Sequence, residues 1–599
     1  MSNSLAALSG AESVQWNLRD LYAAPDDAQL AQDMQAARTM ATTFADQYRG
    51  KVAELTAPEL AKALSDYEAI VALLSKIGAY AFLAWCTDTQ NPELGKLMAR
   101  RDDHFAEIEQ IILFFELEWA NAPAAADNLI DDAALTRYTH YLKQQRLLQP
   151  YTLSEPEEKI ISQLTLSGSQ GWSRYYDEVF SKLTYTVDGK ELTQSEVTDL
   201  LLNPDREMRQ KAAEAITKTY QENNHVVTFV FNMVLLDKAS KDKLRSFASW
   251  ISARNLSNQV DDATVEALIE AVTSRYDIVA RYYRLLRQQL GYDELFDYDR
   301  YAPATHAEEP KVHWEEAQTI VLEAFANFDP RMADIARLFF DKQWIDAPPK
   351  VGKMGGAFCL SITEDLHPYV FLNFTGDMNQ VMTLAHELGH GIHGYLARAQ
   401  GELQAHTPVT TAEMASTFGE MLVFDHMIQQ QSDPSVRFAM RMRKMADTIA
   451  TVFRQVALNR FEDAIHTARR EQGELSADQM AAYWLQTQRA MFGDSLTIRD
   501  EYGLWWSNIS HFVSMYGYVY GYAFGELLVW ALYARYKQAP EGFADRYLDV
   551  LRAGGSDWPH KILAPLGVDL QDPQFWHEGL DLLDAFIAAM EEDAAHLNK

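Results

Sequence analysis

Apolar residues recur at intervals of three and four positions along most of the 599-residue chain, and this spacing limits the folds it can adopt. Such spacing gathers apolar side chains on one face of an α-helix, whereas a half-buried strand requires strict alternation. Alternating runs are few, so the sequence predicts a mostly α protein. Because 48% of the residues are hydrophobic and 23% are charged, the chain can bury a large core and is expected to fold throughout.

Two short runs depart from the helical pattern and predict strands. Residues 183–187 precede the turn signal Asp188-Gly189, and residues 369–374 form a second β-rich run between Pro and Gly residues. The turn-rich stretch that follows the first run predicts a boundary near residue 200. We therefore expect an N-terminal helical region at 1–200 and a second region at 201–599.

The charge balance excludes several classes of partner. Lys and Arg number 53 against 85 Asp and Glu, which gives a formal net charge of −32. A surface of this sign repels phosphate backbones and anionic membranes, so we expect neither nucleic-acid binding nor membrane association. Cationic peptides and divalent metals would be attracted.

Cysteine usage indicates a reducing compartment. The two cysteines, Cys86 and Cys359, are too few for a disulfide framework and are wrongly spaced for a zinc ribbon. The N-terminal residues show no basic and apolar pattern of a secretory signal. The sequence therefore predicts a cytoplasmic protein.

A metal-binding motif lies on the clearest amphipathic helix of the chain, which is predicted over residues 378–396 with Asp377 as its N-cap. The motif is His386-Glu387-Leu388-Gly389-His390. Four residues turn a helix by about 400°, so the two imidazoles end about 40° apart and about 6 Å apart along the axis. They form a clamp for one ion, and they lie opposite the apolar face, which comprises Val381, Leu384, Leu388, Ile392 and Leu396.

Glu387 lies about 100° from His386 and about 60° from His390 around the helix axis, so its carboxylate can flank the ion without being a ligand. Zinc lowers the pKa of a bound water towards about 7. A carboxylate within hydrogen-bond reach of that water takes its proton and delivers it to the leaving amine. The motif therefore predicts amide hydrolysis, with metal-bound water activated by Glu387.

A catalytic zinc also needs a third protein ligand and an open fourth position. The metzincin pattern requires a glycine and a histidine where this chain has His393 and Leu396, so that class is excluded. We expect His393 to be a neighbour on the same helix and not a ligand.

Glutamates that follow the motif supply the third ligand. Glu402, Glu413 and Glu420 are in range, and residues 410–420 predict a second helix with Thr410 or Thr411 near its cap. We assign Glu413 as the third ligand and Glu420 as the carboxylate that orients a ligating imidazole through its free N–H. Glu402 is expected in a loop.

Further segments with recognisable patterns are spread over nearly the whole chain. They are Trp16-Asn17-Leu18-Arg19-Asp20-Leu21-Tyr22, Asn373-Phe374-Thr375-Gly376, residues 385–390, Glu413-Met414-Ala415-Ser416-Thr417-Phe418, His511-Phe512, Tyr516-Gly517-Tyr518-Val519-Tyr520-Gly521-Tyr522-Ala523, Gly554-Gly555-Ser556 and Gly567-Val568-Asp569. Together they resemble the thimet oligopeptidase and oligoendopeptidase F group of zinc peptidases, and the oligoendopeptidase F branch in particular.

The resemblance implies a helical clamshell with a deep central channel and a small β element beside the zinc-binding helix. The N-terminal region would cover the channel. A channel of this kind admits only flexible chains, so the resemblance implies a metalloendopeptidase that hydrolyses short unstructured peptides with one Zn²⁺ per chain.

It also implies roles for residues outside the motif. His511 and Tyr522 would donate hydrogen bonds to the scissile carbonyl and its oxyanion. Tyr516, Tyr518 and Tyr520 compete for that role or bind substrate. The remaining substrate-binding residues implied are Val370 and Leu372, in a strand edge that pairs with the peptide, and Gly355 and Gly356, in a loop that closes over it.

Two alternatives stay open. A carboxypeptidase or dipeptidyl carboxypeptidase could use the same helical scaffold, with a cationic group holding the terminal carboxylate. A binding or scaffold protein could keep zinc structurally, but a closed structural site needs four protein ligands. Only His386, His390 and Glu413 form a credible set, which favours an open catalytic position.

Overall fold

The structure is a computed structural model that describes residues 9–304 and 311–597. Helices form most of these residues and the strands are few and short, which confirms the predicted mostly α class. The chain divides into two compact units: unit 1 comprises Met1–Pro150, Glu309–Gln430 and Tyr536–Val568, and unit 2 comprises Tyr151–Glu308, Gln431–Arg535 and Asp569–Lys599. Each unit thus draws on three stretches of chain, and the division at residue 200 stays a prediction.

The helices of each unit come from all three of its chain stretches. Unit 1 contains Ala28–Tyr48, Ala57–Thr87, Pro92–Ile112, Phe114–Ala120, Thr139–Leu147, Trp314–Phe328, Pro330–Asp341, Met378–Ala397, Val409–Ala412, Met414–Gln430, Phe543–Ala553 and Pro559–Leu563. Unit 2 contains Glu155–Ser167, Ser169–Ser181, Gln194–Asp199, Arg206–Leu244, Ser252–Ser257, Asp262–Ser274, Tyr276–Leu290, Pro434–Thr448, Arg454–Gln472, Ala477–Phe492, His511–Ser514, Pro573–Leu597 and most of Tyr520–Gln538.

Polar side chains mark where these helices begin. Asp377 Oδ1 accepts a hydrogen bond from the Gln380 amide at 3.1 Å, and Met378–Ala397 starts directly after it, as the sequence predicts. Ser476 and Thr193 make reciprocal capping boxes at two other helices. Each cap satisfies amide groups that lack a partner within the first helical turn.

The helix Ala57–Thr87 is long and apolar enough to cross a membrane by length and composition alone, but 50% of its most apolar window is buried inside the protein. A core helix meets the same criterion. Its residues Leu60 and Leu64 belong to one apolar cluster with Phe44, Phe115 and Trp119. This helix therefore forms part of the core of unit 1.

A β-hairpin in unit 2 pairs β1 (Tyr185–Val187) with β2 (Lys190–Leu192) in antiparallel register. Asp188 and Gly189 turn the chain with φ angles of 48° and 78°. Positive φ at both positions is what a tight two-residue hairpin requires, and Asp-Gly adopts it at low cost. The strand and turn predicted here are confirmed.

A three-stranded sheet in unit 1 joins β3 (Ile345–Asp346), β4 (Phe358–Leu360) and β5 (Tyr369–Phe371) in the order β3-β5-β4. β5 is parallel to β3 and antiparallel to β4, so it is the central strand. The small β element is therefore present, and it packs against the helix Met378–Ala397.

The expectation that the run 369–374 offers a free edge to a peptide is wrong. The amides of Val370 and Leu372 donate to the carbonyls of Trp344 and Asp346 at 2.9 and 2.8 Å, and both side chains are fully buried. A continuous apolar run is typical of a strand covered on both faces. In the described part of the chain, no strand pairs with the edge of β4 that faces away from β5.

Lys353 pins the loop between β3 and β4 to the central strand. Its side chain is fully buried, and Nζ lies 2.6 Å from Asp346 Oδ1, 2.6 Å from the Leu372 carbonyl oxygen and 3.0 Å from that of Pro348. The ammonium also lies 4.5 Å from the centroid of the Phe371 ring. A buried ammonium with this many partners is well satisfied and holds the sheet together.

We expect Lys353→Ala to destabilise unit 1 by about 3–5 kcal/mol, because Asp346 would be left buried without its counter-ion. The shift of the urea unfolding midpoint measures this. Lys62→Ala is the control, since Lys62 makes an ion pair with Asp66 but its side chain is 65% exposed. It should change stability by less than about 0.5 kcal/mol. Equal midpoints for the two variants would contradict the role assigned to Lys353.

Candidate metal centre

Two helices of unit 1 carry the candidate metal centre: the histidine helix (Met378–Ala397) and the glutamate helix (Met414–Gln430). They pack against each other where each has a glycine. A Cβ on Gly389 would lie 2.4 Å from the Ala415 carbonyl oxygen and 2.6 Å from Ser416 Cα, and one on Gly419 would lie 3.0 Å from the Ala385 carbonyl oxygen. Two backbones thus meet at a distance that no larger residue at 389 permits.

This approach brings His386, His390 and Glu413 together. Nε2 of each histidine lies 3.3 Å from Glu413 Oε2, and the three potential ligand atoms all lie within 4.8 Å of one another. Two atoms that each bind one zinc at about 2.0–2.1 Å with tetrahedral angles are about 3.3–3.4 Å apart. Two imidazole nitrogens and one carboxylate oxygen also form a known donor set for catalytic zinc, so these residues fit the ion.

Glu420 fixes one of the imidazoles. Its Oε1 lies 2.5 Å from His386 Nδ1, which donates its proton to the carboxylate. This hydrogen bond occupies Nδ1 and leaves Nε2, the ring nitrogen that faces Glu413, as the atom available to a metal ion. The carboxylate thus lies where the sequence places it.

Ser416 is a residue that the sequence analysis missed. Its side chain is fully buried, and Oγ lies 3.0 Å from Glu413 Oε2 and 2.9 Å from the Glu413 carbonyl oxygen. It therefore holds the carboxylate that faces the two histidines. The signal was present, because a serine three residues after the residue that precedes a helix can reach back to that residue.

The helix predicted over 410–420 is not continuous. Val409–Ala412 forms one helical turn, and the glutamate helix begins only after Glu413, whose φ and ψ are −82° and −2°. The carbonyl of Glu413 accepts the hydrogen bond of the Thr417 amide at 3.0 Å and so starts the new helix. Glu413 consequently lies at a helix end, where its side chain is free to turn towards the histidines.

The titratable groups of the centre are shifted in opposite directions. Burial lowers the pKa of His386, but hydrogen bonds with Glu413 and Glu420 outweigh it and raise the pKa to about 10. Burial raises the pKa of Glu413, yet its hydrogen bonds with both histidines bring this pKa far below the usual range. Burial raises the pKa of Glu387, and the two histidines only partly offset this. Glu413 is thus held as a carboxylate.

Glu387 is 6% exposed, and its Oε2 has no hydrogen-bond partner among the described residues. β4, which carries Cys359, packs against the histidine helix. Burial, and to a smaller extent the negative charge of Glu387, raises the pKa of the Cys359 thiol. Gly355 and Gly356 lie in the exposed loop before β4, and a Cβ on either would meet open space.

His393 and Glu402 lie outside the ligand cluster of the described residues. His393 is 6% exposed, and burial together with His390 lowers its pKa to about 4, so its imidazole is neutral. Glu402 lies in the loop after the histidine helix and accepts a hydrogen bond from the Ser75 hydroxyl.

The remaining candidates lie in unit 2 and include a second compact group. His511 Nε2 lies 3.2 Å from the Tyr522 hydroxyl, and the Tyr518 ring lies 5.2 Å from the Tyr522 ring and 6.1 Å from the His511 ring. Burial lowers the pKa of His511. The imidazole is therefore neutral near neutral pH and shares a hydrogen bond with the Tyr522 hydroxyl.

Tyr516 and Tyr520 lie differently. Tyr516 is half-buried, and its ring contacts the His466 ring edge-on. Tyr520 is fully buried, and its hydroxyl makes 2.8 Å hydrogen bonds with Asn255 and Asn258. This placement favours a packing role for Tyr520 over contact with a substrate.

Two family models and a known bacterial oligopeptidase match most of this chain. Residues 200–582 match the family model described as Peptidase family M3, and residues 122–185 match the model described as Oligopeptidase F. Oligopeptidase PepF of Bacillus subtilis is 27% identical, over 96% of this chain and 87% of that protein.

Solved structures share the fold. A peptidase candidate from Chlamydophila abortus superposes with a TM-score of 0.87 at 22% identity, covering 97% of this chain and 98% of the other. Oligoendopeptidase-F from Enterococcus faecium gives a TM-score of 0.69 at 20% identity, covering 95% and 98%. At these identities the likeness concerns the fold alone.

We expect Gly389→Ala to weaken zinc binding by about 10- to 100-fold, the range seen when groups that orient metal ligands are disturbed. The added Cβ would force the two helices apart and carry Glu413 away from the histidines. Competition with a chromogenic chelator measures the affinity. Gly95→Ala is the control, because Gly95 is also helical but has nothing within 4 Å of a Cβ. Unchanged zinc affinity in Gly389→Ala would show that the close approach of the two helices is not needed to hold Glu413 next to the histidines.

Proposed function

Because the chain belongs to peptidase family M3, we propose that it is a zinc-dependent endopeptidase that hydrolyses short, unstructured peptides. The observation that carries this proposal is the cluster of His386, His390 and Glu413 beside the buried carboxyl of Glu387. The similarity to Oligopeptidase PepF over nearly the whole chain supports the restriction to short peptides. The alternative of a structural zinc is disfavoured, because such a site needs a fourth protein ligand.

His386 and His390 would hold one zinc ion through Nε2, and Glu413 through Oε2. Zinc, when bound, supplies a Lewis acid that polarises the scissile carbonyl and lowers the pKa of water. Glu420 keeps the His386 ring in the required tautomer, and Ser416 keeps the Glu413 carboxylate in place. Losing such supporting contacts typically costs about 10- to 100-fold in metal affinity or activity.

Glu387 would act as the general base and then as the general acid. Its carboxylate would take the proton of the attacking water as the water oxygen bonds to the carbonyl carbon. The same carboxyl then gives that proton to the nitrogen of the leaving amine as the C–N bond breaks. Glu387 ends the cycle as a carboxylate, so one group serves both proton transfers.

The peptide backbone would pair with the free edge of β4. β4 packs against the helix that carries Glu387, whereas both edges of β5 are occupied. Extended peptides add to such edges through main-chain hydrogen bonds, which gives affinity with little side-chain selectivity. Gly355 and Gly356 precede β4 and leave room for a ligand to approach the backbone.

His511 and Tyr522 would donate hydrogen bonds to the scissile carbonyl and the oxyanion that develops from it. The family resemblance supports this role, and so does the hydrogen bond between the two side chains. Tyr518, whose ring contacts both, is the next candidate.

We also propose that the enzyme works in the cytoplasm without nucleic-acid or membrane partners. Both cysteines are free thiols, in keeping with a reducing compartment. The net charge of −32 disfavours binding to nucleic acids and anionic membranes.

Glu387→Gln should abolish peptide hydrolysis while zinc stays bound, because the amide cannot accept the proton of the attacking water. An internally quenched peptide with both ends blocked measures the activity, and metal analysis measures the zinc. Glu93→Gln is the control, since the side chain of Glu93 is 71% exposed. Wild-type turnover in the Glu387 variant would contradict the proposed role of Glu387 as general base. A wild-type enzyme that cleaves only peptides with a free carboxylate would instead indicate a carboxypeptidase.

Tyr522→Phe should lower kcat by about 10²–10³-fold if its hydroxyl stabilises the oxyanion. Tyr520→Phe is the matched control: it removes a buried hydroxyl with two partners and should lower stability with little change in kcat. Steady-state kinetics on the quenched peptide compares them. An unchanged rate in Tyr522→Phe would move the role to Tyr518.

A further inference from the structure

The segment between His511 and Tyr522 makes a tight turn around a single glycine. The helix His511–Ser514 ends, Met515 begins the turn, and the Tyr518 amide donates to the Met515 carbonyl at 3.2 Å. Gly517 has a φ of 64°, and a Cβ there would lie 3.3 Å from side-chain atoms of Trp250 and Ile251. The turn needs glycine both for its conformation and for its close packing.

One peptide group of this turn is held at both ends by side chains. The carbonyl of Tyr516 accepts a hydrogen bond from Arg254 Nε at 3.1 Å, and the amide of Gly517 donates to Glu462 Oε1 at 2.9 Å. These two polar atoms belong to the same peptide unit. Arg254 and Glu462, here named the peptide clamp, therefore fix the position and tilt of the Tyr516–Gly517 peptide.

The carboxyl group of Glu462 is buried more deeply than is usual for an acid that only holds a turn. Its side chain is fully buried in the helix Arg454–Gln472, and its Oε2 has no hydrogen-bond partner among the described residues. Burial raises its pKa to about 8, with the Gly517 amide and Arg254 opposing. Burying an acid with one unsatisfied oxygen costs stability, so a compensating use is expected.

The clamp also reaches the catalytic candidates directly. The guanidinium of Arg254 lies 5.5 Å from the centroid of the Tyr518 ring. That ring in turn contacts the rings of Tyr522 and His511. A displacement of Arg254 or of the Tyr516–Gly517 peptide would therefore move the aromatic group that contains the proposed oxyanion donors.

We propose that Arg254 and Glu462 are positioning residues, which hold the Tyr516–Gly517 peptide and thereby keep Tyr522 and His511 in their catalytic placement. The inference rests on the proposed function, because it needs Tyr522 to act in peptide hydrolysis. Neither clamp residue touches the reacting atoms, so both act through the turn. Small misplacements of a hydrogen-bond donor are enough to cost a large part of its catalytic effect.

The first test uses Glu462→Ala and Glu462→Gln in the full-length zinc enzyme. The alanine variant should lower kcat by about 10-fold or more with KM changed less than about 3-fold, since the lost interaction acts in the transition state. The glutamine variant keeps a carbonyl acceptor for the Gly517 amide and should restore most of the rate. Zinc content should be unchanged in both. Equal loss in the two variants would contradict the clamp.

The second test separates positioning from general damage. Glu462→Ala and Tyr522→Phe are combined, and the three variants are compared in a double-mutant cycle. If the clamp acts through Tyr522, Glu462→Ala should lower kcat by less than about 2-fold once the Tyr522 hydroxyl is gone. Affinity for a phosphinic peptide, which carries a tetrahedral anion, should fall with kcat/KM. Fully additive losses would overturn the proposal.

Controls keep the outcomes distinct. Asp593→Ala removes another buried carboxylate of unit 2, one paired with Arg437 and Arg441, and should leave kcat unchanged. If Glu462→Ala does not fold, Arg254→Met removes the other half of the clamp and enters the same cycle. A wild-type enzyme without peptidase activity would overturn the proposed function itself, whereas an active wild type with additive variants would overturn only the clamp.

Discussion

The close crossing of the histidine helix and the glutamate helix is the constraint on which the metal centre depends. Gly389 allows the two backbones to meet, because a Cβ there would lie 2.4 Å from the Ala415 carbonyl oxygen. Gly419 is the glycine of the other helix at this contact, and a Cβ there would lie 3.0 Å from the Ala385 carbonyl oxygen. Glu413 and Glu420 are long, flexible side chains whose reach alone would not select one geometry. Fixed helix axes, a serine behind Glu413 and an imidazole in front of Glu420 restrict them to the observed positions.

The same crossing concentrates negative charge in a chain that is already acidic. Glu387, Glu413 and Glu420 lie around two imidazoles, and a group of carboxylates in a half-buried place is unfavourable unless cations offset it. A divalent ion, as proposed above, would supply that offset, and the oxygen and nitrogen donors of these residues would coordinate it. Acid clusters elsewhere on the surface need no such partner, because water screens them.

Much of this arrangement follows from sequence pattern, and what does not depends on distant pairing. The histidine helix and its cap at Asp377 agree with prediction because periodicity and capping are local properties. The central place of β5 depends on β3, two residues long and more than twenty positions earlier, which no local pattern marks. The helix break at Glu413 is equally hidden, since residues 410–420 have good helical periodicity throughout.

The tyrosines show a second reason why the candidate site could not be predicted completely from the sequence. Tyr520 and Tyr522 are two residues apart in one aromatic run, yet one is bonded to two buried asparagines and the other to His511. Side chains at successive positions of the first helical turn point in different directions. Which of these directions is buried depends on the elements that pack against the helix. Glu462 left a weak signal, an acid beside Phe461 and within one turn of Ile465, both buried.

The position of each glutamate on its helix divides the chemical roles at the centre. Glu387 follows His386 directly, and one residue turns a helix by about 100°, so its carboxyl cannot share the hydrogens that the imidazoles direct at Glu413. It lies on the helix that packs against β4, where burial raises its pKa, while the two histidines keep Glu413 ionised. In the proposed mechanism, environments that push the pKa values of two carboxyl groups apart assign Glu413 as the ligand and Glu387 as the proton carrier. Helix geometry thus separates the two tasks before any substrate binds.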